Sequence, residues 1–218
     1  IGDYVDYDGS VLVIDPSGRG QDETAYAVVK MLNGYLYVAD CAGIQGGYSE
    51  TTLTKLCNIA KEHKVNVVLV ESNFGDGMFT QLIKPVLTRV HPVSIEEVRH
   101  NTNKEKRIID TLEPILNQHR LVVDDKVIQQ DYQSEVDLKY KLFYQLTRLT
   151  RDKGSLIHDD RLDALSIAVG YWVETMDRDI LRAVEDHKKD LLRDELDKFM
   201  ESSIGRPQKR DNWVQLRR

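Results

Sequence analysis

Val11-Leu-Val-Ile14 is an unbroken aliphatic run that stops at Asp15-Pro16. A run of this kind bounded by a turn signal predicts a buried strand entering a loop. Apolar and polar positions alternate loosely from Ala25 to Leu32, Asn33-Gly34 supplies the residues of a type I′ turn, and Tyr35 to Ala39 pairs back. Three antiparallel strands are therefore expected to open the chain. Ser49 is an N-cap residue ahead of Leu53, Leu56, Cys57 and Ala60, whose spacing predicts a helix to about His63. Val65 to Val70 reads as a second buried strand running into Glu71, and Val93 to Val98 is a further strand candidate. Between them a helix spans about Met78 to Val90, where Pro85 should kink or split it. Lys104 to Gln118 is helical in pattern with a break expected at Pro114, and Leu121 to Val123 is a short strand. Asp131 to Arg148 has no clear period, and Leu156 to Val173 reads as a strongly apolar helix. The order β-β-β-α-β-α-β-α-α is an α/β pattern with an antiparallel start.

From Asp177 the pattern changes. Charged residues dominate and Ile180, Leu181, Val184, Leu191, Leu192, Leu196 and Phe199 leave a thin apolar stripe, as in an amphipathic helix outside a main core. Gly205-Arg-Pro207 should end it, and Arg206 to Arg218 is a basic tail. A division into residues 1–176 and 177–218 is expected. At 218 residues the chain is one domain with appendages, and the first residue, Ile1, suggests a piece of something longer.

Composition narrows the classes. A hydrophobic fraction of 41% supports a core, and no apolar run is long enough to span a membrane. No basic segment followed by an apolar run opens the chain, so secretion is not expected. Cys41 and Cys57 make no disulfide framework and read as buried free thiols. The net charge of −6 argues against a broad basic face, yet a protein that gathers acids around metal ions is acidic without them.

Acids at particular places carry the chemistry. Asp15 follows Val11–Ile14, Glu71 follows Val67–Val70, and Asp159, Asp160 and Asp163 open an otherwise apolar helix. Strand ends are where α/β proteins place functional groups, and converging carboxylates need cations because a buried lone charge is costly. Asp160 and Asp163 are i, i+3 and Asp159 and Asp163 are i, i+4, so the three can share a helical face. Oxygen-only donors favour Mg²⁺ or Mn²⁺, and two such ions form the clamp used for displacement at phosphorus. Singly, each acid also has a structural reading: Asp15 can start a turn, Glu71 can pair with an arginine, and Asp159 can cap its helix.

Val13-Ile-Asp15-Pro-Ser-Gly-Arg-Gly-Gln-Asp22-Glu-Thr-Ala25, Val68-Leu-Val-Glu71-Ser-Asn and His158-Asp-Asp-Arg-Leu-Asp163-Ala-Leu165 resemble the nuclease domain of tailed-phage terminase large subunits, podovirus type. The resemblance runs from about Tyr4 to Glu174. It implies an RNase H-like (resolvase and integrase) fold, a central mixed sheet flanked by helices, with the charged helix and tail appended. It further implies a metal-dependent endonuclease that cuts concatemeric duplex viral DNA during packaging in the host cytoplasm. On this resemblance Asp15, Glu71 and Asp163 are the catalytic and metal-binding acids and Asp160 is a further ligand. Asp159, His158 and Asp22 are accessory candidates. Double-stranded DNA, a portal protein and a terminase small subunit are the implied partners. The packaging ATPase of such subunits needs a P-loop, and no G-x-x-x-x-G-K-[ST] occurs here, so that domain is expected to be absent.

Two basic groups are candidate phosphate contacts: Lys104, Lys106 and Arg107, and Lys139, Lys141, Arg148, Arg151 and Lys153. Solvated helix faces explain either group equally well. Tyr132, Tyr140, Phe143 and Tyr144 could stack on bases, but core packing is the better reading of them. Gly75-Asp-Gly77 suggests a loop at the rim of the site, and the basic tail is expected to dock on an acidic portal surface. Two other functions fit the same residues: a Holliday-junction resolvase or transposase-type nuclease, and a non-catalytic portal-docking module.

Overall fold

The computed structural model describes residues 5–17, 23–72, 77–100, 102–152 and 154–204. Strands β1 (Gly9–Asp15), β2 (Thr24–Leu32) and β3 (Tyr35–Ile44) form the antiparallel opening, with β2 joined to β3 through Asn33 and Gly34. Both turn residues have positive φ, 51° and 78°, as a type I′ turn requires. Then come α1 (Glu50–Glu62), β4 (Val67–Glu71), α2 (Met78–Val90), β5 (Ser94–Val98), α3 (Lys104–Asn117), β6 (Leu121–Val123), α4 (Asp125–Gln133), α5 (Leu142–Arg148) and α6 (Asp160–Ile204). The sheet order is β5-β4-β1-β2-β3-β6, with β4 parallel to β1, β5 parallel to β4 and β6 parallel to β3. This is the RNase H-like mixed sheet with an extra edge strand.

β1 lies in the centre of the sheet, which is why its sequence is continuously apolar and Val11 to Ile14 are fully buried. On one face Leu12, Ile14, Val28, Val68 and Val70 pack against Leu53, Leu56 and Cys57 of α1 and Phe79, Ile83 and Leu87 of α2. On α6, Leu162, Leu165, Ala168, Val169 and Trp172 are buried, and the Trp172 indole N–H donates to the Val29 carbonyl (3.0 Å). Each fully buried aliphatic or aromatic side chain contributes about 1.5–3 kcal/mol.

The structure departs from the sequence pattern in four places. Pro85 and Pro114 neither split nor end their helices, since α2 and α3 run through them. Ile83 and Leu87 flank one proline and Leu112 and Ile115 the other, so buried contacts hold both sides. The unperiodic stretch becomes the end of α4, a 3₁₀ turn at Leu138–Tyr140, and α5. Helix α6 begins at Asp160, four residues after the expected start, and leaves His158 and Asp159 ahead of it. The apolar helix and the charged helix are one element to Ile204.

The chain divides into two compact units, Ile1–Glu174 and Thr175–Arg218. In the second, Ile180, Leu181, Val184, Leu191, Leu192, Leu196 and Phe199 are exposed. Gly18–Asp22, most of the loop after Glu71, Lys153 and the tail from Gly205 lie outside the described residues. Among the described residues no helix is long and apolar enough to cross a membrane.

A Cβ at Gly9 would fall 2.5 Å from the Trp172 ring, between a sheet backbone and a hydrogen-bonded indole. Gly9→Ala is expected to cost about 1–3 kcal/mol by overpacking, read from the urea unfolding midpoint at unchanged slope.

Candidate metal centre

Asp15 ends β1 and Glu71 ends β4. These strands are adjacent and parallel, with Ile14 in register with Val70, so the two carboxylates leave the sheet at one level. Asp163 arrives from the first turn of α6. One carboxylate oxygen from each of the three lies within 4.8 Å of the others. Asp163 is fully buried and Glu71 nearly so. The α6 N-terminus favours the negative charge of Asp160 and Asp163 in its first turn.

The cluster also gathers cations, and these come from α3. Asn103 caps α3 by accepting from the Lys106 N–H (2.8 Å), which starts the helix so that Lys104 and Arg107, three apart, share a face. The Lys104 ammonium sits 2.8 Å from Asp159, 3.2 Å from Asp163, 3.3 Å from Asp160 and 3.9 Å from Asp15. Arg107 donates to Asp163 Oδ1 and lies 3.6 Å from Glu71. Lys104 and Arg107, expected to face phosphate, are therefore engaged with carboxylates inside the site. The reason is electrostatic: the acids cannot approach one another without nearby positive charge.

That compensation is incomplete. Burial raises the Asp15 pKa well above its ordinary value, and Glu71, Asp160 and Asp163 raise it further despite Lys104. Glu71 is raised by burial and then by Asp163, against Arg107 and Lys104. Burial raises Asp160 as well, with Lys104 opposing. Burial works against the Lys104 ammonium, yet Asp163, Asp15, Asp159 and Asp160 together outweigh it and hold its pKa above the usual lysine value. Asp163 Oδ2 is buried without a hydrogen bond, and its near neighbour is the Lys104 ammonium.

Asp159 precedes α6, and its carbonyl accepts the Asp163 N–H (2.8 Å), so it reaches the cluster from the loop and not from a shared helical face. His158 stacks on Tyr140 with ring centroids 4.3 Å apart and approaches Asp160 at 4.0 Å. His100 lies 3.6 Å from Glu71, and burial followed by Arg107 lowers its pKa. No pattern around His100 in the sequence signals that position. Asp22 and Lys153 lie outside the described residues.

The other basic candidates are spread out. Lys106 is exposed. Lys139 pairs with Asp137 at 3.8 Å and lies over Tyr140, and Lys141 donates to the Tyr132 carbonyl. Arg148 lies over Tyr144, and Arg151 pairs with Asp110 and Glu113. Tyr132 is 85% exposed, so core packing does not account for it.

The family model for the bacteriophage T7 terminase Ribonuclease H-like domain matches residues 14–121. The large terminase subunit of Enterobacteria phage T3 is 48% identical over 204 residues, covering 91% of this chain and 34% of that protein. The chain belongs to the T7-type terminase RNase H-like domains. It spans about a third of the length of this relative. Among solved structures, the human cytomegalovirus terminase nuclease domain, manganese-soaked and inhibitor-bound, superimposes with a TM-score of 0.56 at 15% identity. That match covers 77% of this chain and 85% of the other. A mutant of the large terminase subunit from bacteriophage Sf6, with calcium, gives 0.52 at 14% identity over 77% and 90%. At such identities the likeness is one of fold.

The raised pKa values predict a sign for stability. A carboxyl whose folded pKa lies above its unfolded value stabilises the fold only while protonated. That stability is present below the ordinary carboxylate range and lost as pH rises through the raised folded value. Asp15→Asn is therefore expected to raise the melting temperature of the metal-free domain at pH 7, with the gain shrinking at acidic pH. A lower melting temperature at pH 7 would show that Asp15 is net stabilising when ionised.

Proposed function

We propose that this terminase domain is a DNA endonuclease in which Asp15, Glu71 and Asp163, with Asp160, hold divalent metal ions, Mg²⁺ or Mn²⁺, for phosphodiester hydrolysis. The observation that carries the reading is a charge imbalance in the site. Five carboxylates (Asp15, Glu71, Asp159, Asp160, Asp163) converge on two cations, Lys104 and Arg107. Fully ionised, the group carries a net charge of 2 − 5 = −3 on those residues. The donor set is all oxygen and suits hard cations, and the buried, hydrogen-bond-free Asp163 Oδ2 offers a lone pair to one. Among the described residues the group whose ligand atoms converge is Asp15, Glu71 and Asp163, without the His or Cys ligands that zinc prefers.

When bound, a pair of such ions supplies stabilisation to both the attacking and the leaving oxygen of an in-line displacement at phosphorus. The protein's own part is positional. Asp15 and Glu71 are fixed to the ends of paired strands, and Asp163 is fixed to the sheet by the buried first turns of α6. Arg107 orients Asp163 and Glu71 from one side. Lys104 holds Asp159, Asp160 and Asp163 together and must yield room for cations among them. Lys106 and Arg148 are exposed and are proposed as phosphate contacts, along with Lys139, Lys141 and Arg151, whose local pairs can open for DNA, and with Lys153.

The substrate proposed is duplex viral DNA cut in concatemers during genome packaging in the host cytoplasm. The relationship to the phage T3 terminase large subunit supports it. The ATPase, the portal protein and the small subunit are then partners of the whole protein, with residues 177–218 as the segment outside the nuclease domain. Asp22 and the basic tail are left with the accessory and docking roles that the resemblance implies.

Plasmid nicking with Mg²⁺, Mn²⁺ or EDTA tests the reading. Wild type is expected to nick only with metal, and Asp15→Asn, Glu71→Gln and Asp163→Asn to lose at least about 100-fold, in line with displaced or missing groups at a catalytic centre. Full activity in all three variants, or activity in EDTA, would sink it. Comparing linear, supercoiled and four-way junction DNA separates this enzyme from a junction resolvase. A second test addresses Lys104: Lys104→Gln is expected to lower the metal-free melting temperature, because the acids lose their cation, and to increase the rise in melting temperature on adding Mn²⁺. An unchanged Mn²⁺ response would mean that the ammonium does not share the space of the ions.

A further inference from the structure

Behind the metal centre lies a second buried ionic group that the proposed reaction does not use. Arg161 is 3% exposed and Glu23 4%. The guanidinium grips the carboxylate with two prongs, Nε to Oε1 at 2.5 Å and Nη2 to Oε2 at 2.8 Å. Its Nη1 reaches Asp131 Oδ1 at 3.4 Å. Asp131 in turn accepts from the Leu142 and Phe143 N–H groups (2.8 and 3.1 Å) that open α5. Gln145 of α5 accepts from the Leu162 N–H at 3.1 Å, inside the first turn of α6. Glu23 lies over Gly43 of β3, where a Cβ would overlap the carboxylate. The glycine is thus the space in which the acid sits.

The placement of this group is informative. Arg161 lies between Asp160 and Asp163, and two residues of an α-helix turn through roughly 200°, so Arg161 and Asp163 leave opposite sides of α6. Glu23 immediately precedes β2, and Asp15 is in register with Ala25 of that strand. The same end of the β1–β2 hairpin therefore carries a metal-site acid and the acceptor for Arg161. Ser17 and Thr24 close that end, with the Ser17 N–H donating to Thr24 Oγ1 at 3.2 Å. A rotation of α6 that moved Asp163 away from Asp15 would have to break the two-pronged pair.

We propose that the Arg161–Glu23 pair is a positioning device that fixes the rotation of α6 against the β1–β2 hairpin, and that metal capture by Asp15 and Asp163 depends on it. The inference rests on the metal-centre reading above. Arg161 touches no reacting atom. It acts through the placement of Asp160 and Asp163, as outer partners of ligands generally do.

Removing one partner alone would leave a buried charge and confound stability with positioning. The test variant is the double replacement Arg161→Met with Glu23→Gln, which removes both charges of the two-pronged pair at similar volume, while buried Asp131 keeps the Leu142 and Phe143 N–H donors. Replacing a buried pair in this way is often neutral or stabilising. Gly43→Ala, which displaces the Glu23 carboxylate while keeping the ion pair's residues, is the second variant. Mn²⁺ binding is measured from the loss of free-ion electron paramagnetic resonance signal, with melting temperature and far-ultraviolet circular dichroism in parallel. The double variant is expected to keep its fold and bind Mn²⁺ about 10-fold or more weakly, in the range for outer-partner changes, and Gly43→Ala to shift in the same direction. Binding within about twofold of wild type in either folded variant would overturn the positioning role. Asp163→Asn is the control: if it binds Mn²⁺ as wild type does, the metal-centre reading falls. If it alone loses affinity, the positioning inference falls while that reading stands.

Discussion

Carboxylates that converge out of water repel one another, and this repulsion organises the terminase domain around its site. Asp15, Glu71 and Asp163 place oxygens within 4.8 Å, in surroundings where burial raises the first two pKa values. An arrangement of this kind persists only if cations are close and if packing elsewhere over-determines the geometry. Both conditions are met. Helix α3 brings Lys104 and Arg107 into the cluster, and the strands that carry two of the acids are buried along most of their length.

The division of labour follows from that constraint. Register between β1 and β4 sets Asp15 beside Glu71. The buried face of α6, anchored at Trp172 and at Arg161, sets Asp163 opposite them. α4 and α5, which contribute no acid to the centre, hold the first turn of α6 through Asp131 and Gln145. The energy for all of this comes from the apolar packing of the sheet, and the residual negative charge is what the proposed binding of divalent ions rests on.

Where hydrophobic period and turn chemistry agreed, the sequence was a sound guide. The Val11–Ile14 run, the Asn33-Gly34 turn and the strand into Glu71 stand where their patterns put them, because buried strands and positive-φ turns leave few alternative residues. Of the kink or break expected at Pro85 and Pro114, the break does not occur, since tertiary contacts on both sides of each proline hold the helix continuous. The acids were legible because each directly follows an apolar run or opens one. The cations were not. Lys104 and Arg107 stood out only as a basic group, and charge next to charge across 56 positions of sequence leaves no periodic trace. Arg161 and Glu23 leave no periodic trace for the same reason, and their one signal in the sequence is an arginine set between two acids at the head of an apolar helix.

The most direct measurement of the central claim is anomalous diffraction at the manganese edge from crystals soaked in Mn²⁺. The account predicts peaks between Asp15, Glu71 and Asp163, with the Lys104 ammonium displaced from its position among Asp159, Asp160 and Asp163. A soaked crystal without a peak among those acids, and with Lys104 still in place, would contradict it.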